Sequence, residues 1–173
     1  MIRTRPADHK ALEIIGEGKY ICEVGVEAGT HALDMYQLLK PEFMYMVDLY
    51  EEYQLLNGPK WRAVNKANKK WEVESRFKDI RNAKLITKPS LEAVKKFKKE
   101  QLDYVYIDAS HNYEDVLDDL DAWYPTVKKG GVLGGHDWDA EIFGVRKAVE
   151  EWAGKMNMFH LLEHEGCDWW FKL

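Results

Sequence analysis

The chain has 173 residues, of which 46% are hydrophobic and 32% charged, and a net charge of −5. That length suits one domain with a full core, and the composition is that of an ordinary soluble globular protein, so wholesale disorder is not expected. No apolar run approaches the roughly 20 residues a bilayer crossing needs, and the polar N-terminus lacks the apolar stretch of a secretory signal, so a cytoplasmic location without a membrane partner is the expectation.

Taken in chain order, Asp8 reads as the N-cap of a short helix, with Leu12 and Ile15 turned inward and Gly16 as its stop. Residues 20–50, YICEVGVEAGTHALDMYQLLKPEFMYMVDLY, then read as strand, glycine turn, helix and second strand. Residues 21–24 supply the strand, and Gly25 and Gly29 bracket a turn where a side chain would keep a ligand from the backbone. Ala32, Met35, Tyr36 and Leu39 form the apolar stripe of the helix, and Asp48 closes the second strand where an acid can hold a ribose. The connection over residues 49–82 contains a Gly58-Pro59 break before a helix whose Trp61, Val64, Asn68 and Trp71 share one face and read as packing.

Residues 84–87 form a third strand, and Pro89 opens a helix rich in lysine at its far end. A fourth strand over residues 104–107 ends at Asp108. Val116, Leu120, Trp123 and Val127 mark a helix with acids on its outer face. Gly130-Gly131 reads as a turn, and Val132 and Leu133 begin a fifth strand that runs out at His136-Asp137. Ile142, Val145, Val149 and Trp152 pattern another helix, and the tail closes as a hairpin around Glu165-Gly166. Cys22 and Cys167 both sit in apolar strand-like runs; they make no disulfide framework and are expected to be reduced and buried. Strands alternating with helices, then a hairpin, describe an α/β fold with a mainly parallel sheet, in one domain with its core from about residue 20 and an N-terminal helix before it.

In an open parallel sheet, ligands bind beyond the carboxyl ends of the strands. Those ends here carry Glu23 and Gly25, Asp48, Lys88 to Ser90, Asp108 and His111, and His136 with Asp137. Two nucleoside cofactors compete for the glycine turn. A dinucleotide site wants G-x-G-x-x-G facing a pyrophosphate, whereas the middle glycine position is Glu27, which would repel it. S-adenosylmethionine has no phosphate, and an acid at Glu23 suits its cationic end. Asp108, His111, His136 and Asp137 come from neighbouring strand ends, and two carboxylates with an imidazole suit Mg²⁺ or Mn²⁺. The plain structural alternatives are a turn-forming Asp108 and a hydrogen-bonded His136-Asp137 pair that fixes its loop.

Charge is uneven along the chain. Residues 60–99 hold 14 Lys and Arg against 4 acids, and residues 103–121 hold 7 acids and no Lys or Arg. This reads either as differently charged surface helices or as a basic flank for an anionic substrate such as a nucleic acid.

The segments EVGVEAG and IDASHNYEDVLDDLDAWYPTVKKGGVLGGHDW together resemble those of class I S-adenosylmethionine-dependent methyltransferases, in particular the small-molecule O-methyltransferases. The resemblance implies a Rossmann-like, doubly wound, seven-stranded sheet ending in an antiparallel hairpin. It implies S-adenosylmethionine bound by Glu23, Gly25, Gly29, Asp48 and Ser90 and bordered by Asp108. It further implies a metal at Asp108, His136 and Asp137, catalysis by Asp108 with His111 as base, and methyl transfer to a hydroxyl of a small-molecule or sugar acceptor. Ala109 and Ser110 replace the usual glycine and acid, and His136-Asp137 replaces an Asp-Asn pair. A second subunit covering the pocket would make a homo-oligomer. The rival readings are a nucleic-acid methyltransferase, a cofactor-binding module without turnover and a dinucleotide oxidoreductase. IDASH is unlike the Asn/Asp-Pro-Pro-Tyr loop that grips a base amino group.

Overall fold

A computed structural model of the protein describes residues 4–50, 66–140 and 144–173. The Gly58-Pro59 break, Trp61, Val64 and Ile142 lie outside the described residues, as does the side chain of Asn68. Seven strands form one sheet in the order β3-β2-β1-β4-β5-β7-β6. They are β1 (Tyr20–Val24), β2 (Phe43–Asp48), β3 (Ala83–Thr87), β4 (Leu102–Ile107), β5 (Val127–Gly135), β6 (Leu162–Glu165) and β7 (Asp168–Lys172). The pairs from β3 through β5 are parallel, and β7 runs antiparallel to both β5 and β6. The order reverses between β1 and β4, which is where an open sheet splays its loops apart and leaves a crevice.

Helices cover both faces because the central strands are apolar on both. Ala7 and Ala11 of α1 (Pro6–Ile15), Ala32, Met35 and Leu39 of α2 (Thr30–Leu39), and Val73 and Phe77 of α3 (Lys66–Phe77) pack on Ile21, Met44, Met46, Tyr104 and Tyr106. On the opposite face Ala93 of α4 (Ser90–Ala93), Val116, Leu120 and Trp123 of α5 (Tyr113–Trp123), and Val145, Val149 and Trp152 of α6 (Val145–Lys155) pack on Val24, Val105, Leu133 and Phe171. Alternate residues of one strand thus serve two layers, as the pleat requires. No helix among the described residues is long and apolar enough to cross a membrane.

Several expectations need correction. The N-cap of α1 is Arg5, and Asp8 sits at the third helical position, where its Oδ2 accepts the Arg5 backbone N–H at 3.2 Å. Pro6 opens that helix, since a proline at the first position gives up an N–H that would have no helical partner. Trp71 is 67% exposed, and α3 buries Val73 and Phe77 instead. The helix after Pro89 is only four residues long, followed by one 3₁₀ turn over Val94–Lys96. Val127 and the Gly130-Gly131 pair belong to β5, which shifts register against β4 between Leu102 and Tyr104. A side chain on Gly131 would lie 2.7 Å from the Asp103 carbonyl, so this glycine serves strand contact rather than a turn. Cys22 is buried as expected, but Cys167 lies exposed beside the hairpin turn.

Candidate active site

The carboxyl ends of β1, β2, β4 and β5 meet on one edge of the sheet. The Gly25 N–H donates to the Val47 carbonyl at 2.8 Å, and the Asp108 N–H to the Val24 carbonyl at 2.7 Å, so the chain leaving β1 is wedged between its neighbours. Gly25 has φ +93°, and a Cβ there would sit 2.0 Å from the Asp108 carbonyl oxygen. The glycine is therefore demanded by the protein's own backbone, a reason that motif spacing does not reveal. Gly29, with φ +74°, starts α2 and lies against Val73 of α3.

Asp48 organises the turn from the end of β2. Its Oδ2 accepts the N–H groups of Val26 and Glu27 at 3.0 and 2.8 Å, and its Oδ1 accepts that of Tyr50 at 3.2 Å. A carboxylate offers about four acceptor sites, so capacity remains for a ligand hydroxyl. Glu27 occupies the left-handed region at φ 48°, with its side chain mostly in solvent and 3.8 Å from Lys69. Ser90 lies at the start of α4. Its hydroxyl donates to Asp119 Oδ1 in a short contact and accepts the Trp123 indole N–H at 2.8 Å, so it ties α4 to α5. Burial raises the Asp119 carboxyl to about 6, against the pull of the Ser90 hydrogen bond.

Between β4 and β5, Asp108, His111 and Asp137 bring one donor atom each to within 4.8 Å of one another. His111 Nε2 lies 2.9 Å from Asp137 Oδ2 and 3.7 Å from Asp108 Oδ1. These two carboxylates, Asp108 and Asp137, raise the imidazole to about 9. Burial would raise the Asp137 carboxyl, but hydrogen bonds from His111 and His136 outweigh it and hold the group well below the usual carboxylate range. His136 meets the other oxygen of Asp137. Its Nδ1 is 3.3 Å from Asp137 Oδ1 and its Nε2 4.0 Å from Asp168 Oδ1, whereas the closely spaced trio is made with His111. Asp108, His111, His136 and Asp137 line a small cleft floored by Ile107 and Trp169.

Three further groups escaped the sequence reading. Arg5 Nη1 lies 2.9 Å from Asp108 Oδ2 and 2.5 Å from the Tyr106 hydroxyl. Burial works against the guanidinium charge, but Tyr106 and Asp108 more than offset it and raise the group further. Glu23, which is 1% exposed, meets His31 rather than solvent: His31 Nδ1 is 2.7 Å from Glu23 Oε1, and its Nε2 is 2.9 Å from Asp8 Oδ2. Asp168 accepts the Ala7 N–H at 3.0 Å and the Tyr106 hydroxyl at 2.9 Å. A polar residue on the inward face of a helix, as His31 is, was the one available signal; Arg5 and Asp168 carried none.

A family model described as a methyltransferase domain matches residues 22–138. No curated protein matches the chain by sequence. Among solved structures, the O-methyltransferase NovP superposes with a TM-score of 0.72 at 16% identity, covering 95% of this chain and 77% of that one. CalS11, a TDP-rhamnose 3'-O-methyltransferase of calicheamicin biosynthesis, gives 0.65 at 17% identity over 96% of this chain and 77% of its own. Spermidine synthase from Thermotoga maritima gives 0.61 at 18% identity over 94% of this chain and 55% of its own. At such identities the likeness establishes the fold alone.

Proposed function

This chain belongs to the methyltransferase domain family, and from that premise we propose that it transfers a methyl group from S-adenosylmethionine to a hydroxyl of a small-molecule or sugar acceptor. The observation that carries the choice of oxygen is the His111–Asp137 pair, 2.9 Å apart beside Asp108 in the cleft between β4 and β5. A hydroxyl is a weak nucleophile until it loses its proton, and an imidazole oriented by a carboxylate is suited to accept one. Alkaline buffer favours the deprotonated ring that this role needs, given its raised pKa.

The donor set fits the cofactor. Glu23 Oε2 is buried without a hydrogen-bond partner among the described residues, an acceptor suited to an ammonium, whereas Glu27 at the turn disfavours a pyrophosphate. S-adenosylmethionine supplies an electrophilic methyl carbon bonded to sulfur. Glu23, Gly25, Gly29, Asp48 and Ser90 are the residues that would hold it, with Asp108 at its border, and the site's main contribution is to bring nucleophile and methyl carbon into line. Mg²⁺ or Mn²⁺ on Asp108 and Asp137 with His136, which would leave His111 as the base, or with His111, which would take that ring out of the base role, would supply a Lewis acid that lowers the pKa of the acceptor hydroxyl.

Among the described residues of the basic stretch, Lys69, Lys70, Arg76, Lys88 and Lys99 each have an acid within 4 Å. Lys78, Arg81, Lys84, Lys95, Lys96 and Lys98 have none among the described residues, so the nucleic-acid alternative is decided by the binding test below.

Calorimetric titration with S-adenosylhomocysteine, with NADH as control, tests the reading. Binding of the sulfur ligand that is lost in Asp48→Ala, followed by turnover of a hydroxylated acceptor from a panel run with and without chelator, supports it. NADH binding in place of S-adenosylhomocysteine overturns it. Salt-sensitive binding of RNA or DNA, with methylation of either, would move the assignment to nucleic acid.

A further inference from the structure

Glu23 is held in an unusual way for an acid at the end of a central strand. It is 1% exposed, and its two oxygens differ: Oε1 meets His31 Nδ1 at 2.7 Å, while Oε2 is buried and has no partner among the described residues. His31 is itself fixed on every side. Its Nε2 lies 2.9 Å from Oδ2 of Asp8, a fully buried residue, and its ring packs against Tyr106 at a centroid distance of 4.6 Å. Asp8 in turn accepts the Tyr104 hydroxyl at 3.1 Å and the Arg5 backbone N–H at 3.2 Å. The imidazole therefore uses both nitrogens against buried carboxylates, with no freedom to turn. An ionised carboxylate fixed through one oxygen presents the other in a single direction, and a buried acceptor left without a donor is costly until a ligand provides one.

We infer that His31 is a positioning residue for the amino-acid end of the cofactor, locking Glu23 through Oε1 so that Oε2 receives the ammonium. This rests on the methyltransferase reading and extends it to a residue outside the set that the resemblance implies. The outer anchor, Asp8, belongs to α1, which precedes the residues matched by the family model. The N-terminal helix is thus part of the cofactor site through two hydrogen bonds in series, and the pre-organisation it provides lowers the ordering cost of binding.

The test compares two ligands that differ only where the inference applies. S-adenosylhomocysteine carries the amino-acid end; 5'-methylthioadenosine keeps the adenosine and thioether but lacks that end. Wild type, His31→Ala and His31→Asn are titrated with each, and thermal unfolding confirms that every variant is folded. In His31→Ala the affinity for S-adenosylhomocysteine is expected to fall about tenfold or more, the worth of a hydrogen bond to a charged group, while that for 5'-methylthioadenosine stays within about twofold. His31→Asn, whose amide can still donate toward Glu23, should recover part of the loss. If His31→Ala does not fold, His31→Leu, which fills the space without the N–H groups, carries the same comparison. Equal weakening of both ligands would make His31 a structural staple only and overturn the inference, as would unchanged S-adenosylhomocysteine binding. Wild type that binds neither ligand would overturn the cofactor reading itself, and the inference with it.

Discussion

The guanidinium of Arg5 and the carboxylate of Asp108 are joined at 2.9 Å, so a residue that caps the first helix reaches the end of the fourth strand. Asp108 thereby has one oxygen committed to Arg5 and the other, Oδ1, turned toward His111 at 3.7 Å. Arg5→Met should leave Asp108 and the Tyr106 hydroxyl without their donor. The pair is partly exposed, 25% and 18% at the side chains, so the loss lies between that of a surface pair and that of a buried one, about 2 kcal/mol. Urea unfolding measures it. Arg5→Lys should recover part, because both contacts come from the single nitrogen Nη1 and an ammonium can donate to two acceptors, though from a stem of different reach.

Stability should fall with rising pH on account of His31. Burial opposes its charge, but Glu23 and Asp8 outweigh burial and raise the ring from 6.5 to about 10. The folded state therefore binds more protons than the unfolded state between those values, and stability declines with pH wherever that holds. The contribution is complete below about pH 6.5 and is lost as pH rises through about 10. Urea midpoints taken near pH 6, 8 and 10 should fall in that order for wild type, and the slope should flatten in His31→Leu.

Gly25→Ala should be severe. A Cβ there would lie 2.0 Å from the Asp108 carbonyl oxygen, on a residue with φ +93°, and the obstacle is backbone rather than a flexible side chain. A cost of about 3 kcal/mol or more is expected, together with lost S-adenosylhomocysteine binding in any protein that folds. Differential scanning fluorimetry with and without ligand reads both. Gly154→Ala, where a Cβ meets nothing within 4 Å, is the control and should be neutral or mildly stabilising.

The two histidines near Asp137 should behave differently toward a divalent ion. Mn²⁺ titration followed by calorimetry is expected to show binding that is abolished by Asp108→Asn or Asp137→Asn. His111→Ala should weaken it more than His136→Ala, because His111 shares the cluster in which donor atoms lie within 4.8 Å. A larger effect at His136 would favour the ligand set implied by the family resemblance.

The exposed and buried aromatics of α3 give a packing test. Trp71→Ser should change stability by no more than about 0.5 kcal/mol, since its ring is 67% exposed, whereas Phe77→Ala, at 8% exposure, should cost about 3 kcal/mol.

What the chain alone determined was whatever depends on neighbours in sequence. Alternating strands and helices, the glycine turn, the acids closing β2 and β4 and the terminal hairpin all follow from apolar periodicity and turn residues, and they are legible in the sequence itself. Aromatic residues at helical spacing mark an apolar stripe without saying which stripe meets the sheet; among the described residues of α3, Val73 and Phe77 do, and Trp71 does not. The site's polar framework was decided only by the tertiary structure. Arg5 and Asp108 are 103 positions apart in the chain, and Ala7 and Asp168 are 161 apart, so no local pattern could pair them. They meet because α1 folds back over β5 and β7, where burying a charged group is tolerable only if an opposite charge or a hydrogen-bond donor is brought there by another element.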